Sequence, residues 1–578
     1  MGFLGFSQDL PELKWWNPMT DSVKVLEGQG WDKSYVDGYG RLPKTAETKV
    51  RKPVWDLSMQ SAGLSINFVS NSSTIAIKYK VKGTHAFPHM PATGVSGVDL
   101  YAKTSDGKWV WNRGKYSFRD IITYNYTQLP VTEGYHDKGR QYKLYLPSYN
   151  EIEWLEIGVE QQAVFNVLPI RKEKPIVVYG TSIAQGACAS RPGMAWASIL
   201  ERALDRPVIN LGFSGNGRLE KEVLDYIETI NAKLYVLDCL PNLTPTDDMT
   251  LENVYERIIA AVKQLKGKQP SIPILLVEHS GYSDGETNKE RLKVYSELNQ
   301  TLQKAYQQLI SEGIEDIHIL TREGLNLGLD SYVDGTHPTD LGMLQYAQAY
   351  ETSIRGIINE SLGNISTTIP VTQNRSVDYY DWSARHEYIV ESNAKNPPKI
   401  CFIGNSIVHQ WGGASERPLV NNTDSWKTYF ESIGVKNLGF GWDRIENVLW
   451  HIYHGTLDGF DAEQIIMKMG TNNLQFNSDI EIVEGIRFLV KQIKQRQPKA
   501  KITLIGILPR RDFEPRIKGI NEMIFKMTEE IDVNYLSIGN VFLTDDGTID
   551  ESLFRDGLHP NAKGYDKIGP LINAHLQE

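Results

Sequence analysis

The sequence predicts a multidomain protein in which an N-terminal antiparallel β-sandwich of jelly-roll type is followed by two α/β domains. Three observations predict this. At roughly 150 residues per domain, 578 residues ask for several cores rather than one. The early part of the chain alternates apolar and polar residues with a period of two, the mark of strands with one buried face. The remainder replaces that alternation with short, wholly apolar runs between helical segments, and it does so twice in the same order.

Composition narrows the function classes. Hydrophobic residues make up 41% and charged residues 23%, an ordinary globular balance that excludes disorder or a coiled coil as the main state. No apolar stretch approaches the ~20 residues that span a bilayer. With 61 basic against 71 acidic residues, a net charge of −10, the chain has no general attraction for nucleic-acid phosphates. Neither a membrane span nor a nucleic-acid partner is expected, and no pattern asks for a cofactor or metal. Cys188, Cys239 and Cys401 are too few for a disulfide framework and are expected as free buried thiols. The start, MGFLGFSQDLPELKWW, lacks the basic flank and long apolar core of a signal peptide. Either the protein is cytoplasmic, or a signal peptide was removed and left at most a remnant in residues 2–6; the expected location is periplasmic or secreted. The oligomeric state stays open.

The sandwich is expected over 1–172. Its strands read as GLSINFVS (63–70), TIAIKYKV (74–81), GVDLYAK (97–103), KWVWN (108–112), RQYKLYLP (140–147) and EIEWLEIGVE (151–160). Asn71-Ser72 and Asp106-Gly107 supply turn residues between them. The first α/β domain, 173–360, carries PIVVYG (175–180), PVINLG (207–212), KLYVLDC (233–239) and IPILLVEH (272–279). Runs apolar on both faces belong to parallel strands covered by helices on both sides, and VLDYIETI and ENVYERIIAAVKQLKG between them have helical spacing. A polar stretch without apolar periodicity, 361–378, reads as a linker. The second α/β domain, 379–578, opens with Asp381 as helix N-cap before WSARHEYIVE. It then repeats the pattern with KICFIG (399–404), VKNLG (435–439), AEQIIMKMG (462–470) and KITLIGIL (501–508).

The repeat extends to the residues that could carry chemistry. Ser182 and Ser406 each follow the first strand in a G-x-S-I segment, offset by 224. Asn242 and Asn472 follow the third strand, offset by 230, and the closing pairs Asp334/His337 and Asp556/His559 are each offset by 222. Such agreement points to duplication. A serine at the carboxyl end of the first strand lies where open α/β sheets place ligands, and its hydroxyl needs a base to become a nucleophile. His337 and His559 are the candidate bases. In D-x-x-H, Asp334 and Asp556 can hold the other ring nitrogen and fix the tautomer. Acyl transfer also needs donors aimed at an oxyanion. In the first domain these are the amides of Ser182 and Gly215 and the side chain of Asn242. In the second they are the amide of Ser406, the amide of Gly441 or Trp442 in NLGFGWDR, and the side chain of Asn472.

Taken in order, the G-x-S block, the N-x-G segment, the asparagine after the third strand and the closing D-x-x-H resemble the SGNH (GDSL-like) hydrolases over 173–360 and 379–578. The segment MPATGVSGVDLY (90–101) resembles the GxDLY sandwich module that precedes such enzymes. The resemblance implies a flavodoxin-like three-layer fold, no metal, and ester hydrolysis through an acyl-serine. The sequence departs from the family in three places, one of them Trp442 standing where Gly215 stands in the first domain, with a backbone amide that can still donate. Asp238-Cys239-Leu240-Pro241-Asn242 replaces the usual Gly-x-Asn, and Asn473 replaces the aspartate common after the asparagine. No triad member is missing, so two competent sites are expected.

Other residues carry weaker expectations. The stiff loop HAFPHMPATG (85–94) is expected to lean over the Ser182 site, with His89 as a substrate contact. Arg191 and Trp196 are candidate substrate contacts, against a salt bridge or helix-start packing. His451 and His454 have metal-compatible spacing, but without a carboxylate set they read as a solvated helix face. His279 reads as a satisfied strand-end histidine, and Asp443-Arg444 as a local pair. The clustered aromatics Trp15-Trp16, Trp109, Trp111, Trp442 and Trp450 suit sugar rings or sandwich cores alike. With the leading β-sandwich, the aromatic content and no apolar lid helix of the kind a long-chain lipase needs, the expected substrate is an acetylated plant polysaccharide or its oligosaccharides. The alternatives are a short-chain acyl-ester hydrolase or lysophospholipase, or one α/β copy acting only as a glycan-binding module.

Overall fold

A computed structural model describes residues 12–32, 34, 36, 38–104, 107–130, 139–373, 380–413 and 424–578. The chain divides into two compact units between Asn359 and Glu360. Asp106 and the N-terminal segment 2–6 lie outside the described residues.

The first unit begins with two antiparallel sheets. One orders its strands Leu13–Trp16, Ile152–Glu160, Ile75–Val81, Ile122–Tyr126, Lys115–Phe118. The other runs Phe165–Val167, Ser65–Ser70, Arg140–Tyr145, Asp99–Lys103, Trp109–Asn112, with the short Leu26–Glu27 against Ser65–Ser70. Alternate residues of each strand point inward. Ile66, Phe68, Ile77, Tyr79, Leu100, Leu144 and Leu155 meet in one buried core. Five of these strands, the two-residue Leu26–Glu27 and Leu13–Trp16, Lys115–Phe118, Ile122–Tyr126 and Phe165–Val167, escaped the sequence reading. They are two to five residues long, and three contribute exposed Trp15, Tyr116 or Asn166 that blur the alternation.

Both α/β regions have a five-stranded parallel sheet of the same order. In the first unit it runs Val208–Gly212, Ile176–Gly180, Leu234–Asp238, Ile274–Val277, Ile317–Leu320. In the second it runs Val435–Gly439, Ile400–Gly404, Gln464–Lys468, Lys501–Ile505, Asn534–Leu536. The first strand in sequence is second in space, so the order reverses beside it, and the crevice at its carboxyl end is where such sheets bind ligands. Each sheet is buried on both faces, with Val177, Tyr179 and Leu237 facing one helical layer and Ile176, Val178 and Val236 the other. This burial accounts for the continuous apolar runs.

Within the first unit the sandwich is tied to the α/β sheet by buried polar groups. Arg41, fully buried, donates to the carbonyls of Leu57 (2.7 Å), Gln60 (2.7 Å), Asn210 (3.0 Å) and Gly212 (2.8 Å). Lys143 and Arg171 both pair with Glu201, and Arg171 also reaches Glu27 at 2.5 Å.

Of the polar stretch expected to be a linker, 361–373 packs on the second unit's own helices. Thr367 is fully buried and donates to the Glu481 carbonyl at 2.8 Å, and Asn447 Nδ2 donates to the Val371 carbonyl at 2.9 Å. Residues 374–378 lie outside the described residues. Asp381 caps the helix Trp382–Lys395 as its position suggested, accepting from the Ala384 amide at 2.8 Å.

Candidate functional site

Each sheet delivers a serine at the first turn of a four-residue helix. Ser182 opens Ser182–Gln185 behind the cap Thr181, and Ser406 opens Ser406–His409 behind the cap Asn405. The cap side chains accept from Ile183 N and Ile407 N, fixing the turn that follows the strand. A small residue must precede it. A Cβ on Gly180 would lie 2.6 Å from Ala184 Cβ, and one on Gly404 would lie 2.2 Å from Val408 Cγ2.

The histidines come from the loop before the last helix of each α/β region. Ser182 Oγ is 2.9 Å from His337 Nε2, and His337 Nδ1 is 2.7 Å from Asp334 Oδ2. In the second unit Ser406 Oγ is 2.9 Å from His559 Nε2, and His559 Nδ1 is 2.7 Å from Asp556 Oδ2. The D-x-x-H spacing works because the aspartate's other oxygen accepts backbone amides of the same turn. Asp334 Oδ1 takes those of Thr336 and His337, and Asp556 Oδ1 takes those of Leu558 and His559. Burial alone would raise the Asp334 carboxyl, but these hydrogen bonds together outweigh it and hold it at about 2. Asp556 is held low by the same balance. His559 lies below the ordinary histidine range, chiefly through burial and with help from the charges of Arg555 and Lys468, against the opposing pull of Asp556.

The donor loops also correspond. Gly212 and Gly439 pair in register with Gly180 and Gly404. Three residues on, Gly215 and Trp442 both adopt left-handed backbone, φ +69° and +67°. Trp442 therefore occupies the place of Gly215. Gly441 does not, because its amide is spent on His409 Nδ1 at 3.0 Å. In the first unit the equivalent amide, Ser214 N, donates to Gln185 Oε1 at 2.9 Å. Gln185 and His409 escaped the sequence reading, and the only available signal was a polar residue three places after each serine. Burial keeps the His409 imidazole at about 3, so its Nδ1 stays free to accept. Asn242 Oδ1 accepts from Gly217 N at 3.1 Å, and Asn472 Nδ2 donates to the Asp443 carbonyl at 2.9 Å.

The sandwich contributes directly to the first site. The His89 ring stacks near His337, with centroids 6.1 Å apart and planes at 29°, and Phe87 stacks on His89. Tyr149, edge-on to Phe87, donates its hydroxyl to the Ser182 carbonyl at 3.2 Å. Cys188, Asp334 and His337 have potential ligand atoms within 4.8 Å of one another. Burial and then the Asp334 charge push the Cys188 thiol up to about 12, leaving it protonated. All three cysteines are free and buried, as expected.

Several expected contacts are corrected. Trp196 is fully buried and stacked on Tyr350 at 4.1 Å, so it is core and meets no substrate. Arg191 bonds Asp99 Oδ2 (2.9 Å) and Tyr101 OH (2.7 Å), clamping the GVDLY strand to the α/β sheet. His451 and His454 are buried, at 2% and 6% exposure, and form no solvated face. Asp443 pairs with His451 at 3.0 Å, while Arg444 turns to Glu446 at 3.1 Å. His279 is buried; its Nδ1 accepts from Gly281 N, but its Nε2 has no hydrogen-bond partner. Trp450 is also buried.

Residues 173–355 match a GDSL-like lipase/acylhydrolase family model and residues 402–567 match a second model of that description. The chain belongs to the GDSL-like lipase/acylhydrolase family. Ahead of its first GDSL-like domain, residues 13–165 match the model of the N-terminus of SGNH-hydrolase-type esterases. Among curated relatives, the human platelet-activating factor acetylhydrolase IB subunit alpha2 is 30% identical over 195 residues, 32% of this chain and 80% of the relative. The human alpha1 subunit is 26% identical over 200 residues, 34% of this chain and 82% of the relative. A GDSL-like lipase structure from Bacteroides ovatus superposes with a TM-score of 0.55 at 29% identity, covering 60% of this chain and 98% of that one. This GDSL-like chain is an esterase-type hydrolase with a GxDLY module and two GDSL-like domains. Among the described residues no helix is long and apolar enough to cross a membrane.

Proposed function

We propose that the protein is a two-site serine esterase that releases acetyl groups from acetylated carbohydrate. The observation that carries the reading is the hydrogen-bonded line from serine through histidine to aspartate, present with the same 2.9 Å and 2.7 Å spacings in both copies. In this reading the serine Oγ attacks the ester carbonyl while histidine Nε2 takes its proton, and the aspartate stabilises the imidazolium that forms. The oxyanion receives hydrogen bonds from the Ser182 and Gly215 amides and Asn242 Nδ2, or from the Ser406 and Trp442 amides and Asn472 Nδ2. Collapse of the adduct expels the alcohol, which takes the proton back from histidine. Water, deprotonated by the same histidine, then hydrolyses the acyl-serine.

A small acyl group is supported by the enclosure of the nucleophiles, Ser182 at 8% and Ser406 at 4% exposure, and by relatives whose names describe acetylhydrolases. A sugar alcohol is supported by exposed aromatic faces. Trp111 and Tyr116 lie on the sandwich, and Trp442, 41% exposed, lies in the second donor loop. The net charge of −10 suits a neutral ligand better than an anionic polymer. The names of the relatives also favour a second reading, an acetylated phospholipid. Complete triads in both copies weigh against a copy that only binds glycan.

The test is acetate release, followed by mass spectrometry, from acetylated xylan, mannan and pectin oligosaccharides and from an acetylated phospholipid, using Ser182→Ala and Ser406→Ala separately. Turnover of the phospholipid with none of the oligosaccharides would overturn the carbohydrate reading.

A further inference from the structure

Behind the second donor loop lies a chain of buried polar side chains with no part in the triad. Asp443, His451 and His386 are 0%, 2% and 4% exposed. Asp443 Oδ1 accepts from Trp382 Nε1 and Gln373 Nε2, each at 2.8 Å. Its Oδ2 is 3.0 Å from His451 Nε2, His451 Nδ1 is 2.9 Å from His386 Nδ1, and His386 Nε2 is 3.1 Å from the carbonyl oxygen of His454.

These contacts can be counted in protons. A carbonyl oxygen only accepts, so His386 Nε2 carries a hydrogen. Each of the other two contacts, nitrogen to nitrogen and nitrogen to carboxyl oxygen, needs one hydrogen between its atoms. Three hydrogens therefore belong to the trio, one more than two neutral imidazoles and a carboxylate possess, so its net charge is zero. Burial favours the arrangement without separated charges. It lifts the Asp443 carboxyl well above its ordinary range, outweighing the bonds from Trp382 and Gln373 and the nearby Arg385 and Arg444. Burial, with Arg385, also pushes His451 well below its ordinary range. The acid thus donates to the imidazole, the reverse of both triads.

The chain backs a tightly held loop. Gly441 O accepts from Tyr380 OH at 2.6 Å and Gln373 Nε2 at 2.9 Å, Gly441 N donates to His409, and Asp443 O accepts from Asn472. Between these fixed points Trp442 holds φ +67°, a conformation that costs a non-glycine residue about 1–2 kcal/mol and survives where its surroundings over-determine it. In the first unit Asn216 stands at the place of Asp443, its Oδ1 accepting from Arg51 Nη1 at 2.9 Å.

We propose that a protonated Asp443 and the neutral His451 and His386 form a one-proton chain that positions the Trp442 amide for the Ser406 site. They are positioning residues, and the proposal rests on Ser406 being the second nucleophile. The experiment uses the full chain carrying Ser182→Ala, so that p-nitrophenyl acetate turnover reports on Ser406 alone. Asp443→Asn keeps an acceptor toward Trp382 and Gln373 and a donor toward His451. It is expected to leave kcat within a few-fold of the parent. Asp443→Leu removes both and is expected to lower kcat by ~10²–10³, the usual cost of one oxyanion donor, with KM little changed. Nitrogen-15 imidazole spectra of the same chains should show His451 neutral, with its hydrogen on Nδ1, in the parent and in Asp443→Asn. Three results would overturn the proposal: an Asp443→Asn loss as large as the Asp443→Leu loss, an unchanged kcat in Asp443→Leu, or a doubly protonated His451. Should Asp443→Leu fail to fold, the Asp443→Asn kinetics and the tautomer still decide. A parent silent toward every ester would count against Ser406 as nucleophile, and the tautomer would then judge the chain on its own.

Discussion

Ser182 and Ser406 sit at matched positions of matched sheets, and each has its own base. Ser182→Ala and Ser406→Ala should each retain the hydrolysis of the other site, while the double variant should lose at least ~10³-fold, because no nucleophile remains. Acetate assays on purified chains read this directly. The ends of the third strands differ more. Asp238 and Lys468 pair in register with Gly180 and Gly404, and both are buried. Burial raises Asp238 to about 6 and lowers Lys468 to about 7. For Lys468 the folded value lies below the ordinary 10.5. Its destabilisation is therefore complete below about pH 7 and fades as pH rises toward 10.5. Lys468→Met should stabilise the second unit by ~1–3 kcal/mol at pH about 6 and by little near pH 10, as measured by thermal unfolding. Losing that positive charge should also raise the His559 pKa and move the acid limb of Ser406-dependent hydrolysis upward. The serines, histidines and aspartates were legible because D-x-x-H and G-x-S are local patterns. Gln185, His409 and Tyr149 were not, since each hydrogen-bonds residues tens of positions away. Trp196 misled because nothing in its neighbouring sequence reveals Tyr350.

The elements explain why the two sites are not equivalent. The loop 85–94 brings His89 against His337, as its stiffness and place in the sequence suggested. An aromatic contact of this kind is worth about 0.5–1.5 kcal/mol. In a Ser406→Ala chain, His89→Ala should therefore change kcat/KM at the first site by roughly 2–10-fold. The same substitution in a Ser182→Ala chain should leave the second site unchanged. Equal effects in both chains would count against a role at the first site. Four of the five parallel strands in each sheet were readable because burial on both faces leaves continuous apolar runs, whereas the edge strands Ile317–Leu320 and Asn534–Leu536, only partly buried, were not. The sandwich edges were less readable, because a strand such as Lys115–Phe118 is half solvated and its Tyr116 is exposed.

At the scale of the whole molecule, the length and the paired offsets already indicated a duplicated α/β fold. What they could not reveal is how the sandwich is fastened to the first copy, since that depends on a buried arginine in a stretch without periodicity. Burial pushes Arg41 down to about 9, still high enough to keep it charged at neutral pH. Arg41→Met leaves four carbonyls without their donor and should destabilise the first unit by ~3–5 kcal/mol. Ser182-dependent hydrolysis should then disappear at a lower temperature, while Ser406-dependent hydrolysis persists. Residual activity after heating, measured in the two single-serine variants, checks this.

Two GDSL-like domains on one polypeptide are always present in equal number. No change in expression can alter their proportion, and neither can be lost by dilution of the other. Any division of labour between them is consequently written in side chains, above all where His409 stands in the second copy at the place of Gln185 and Lys468 at the place of Asp238. A point substitution there could retune one half of the chain while the other continues unchanged.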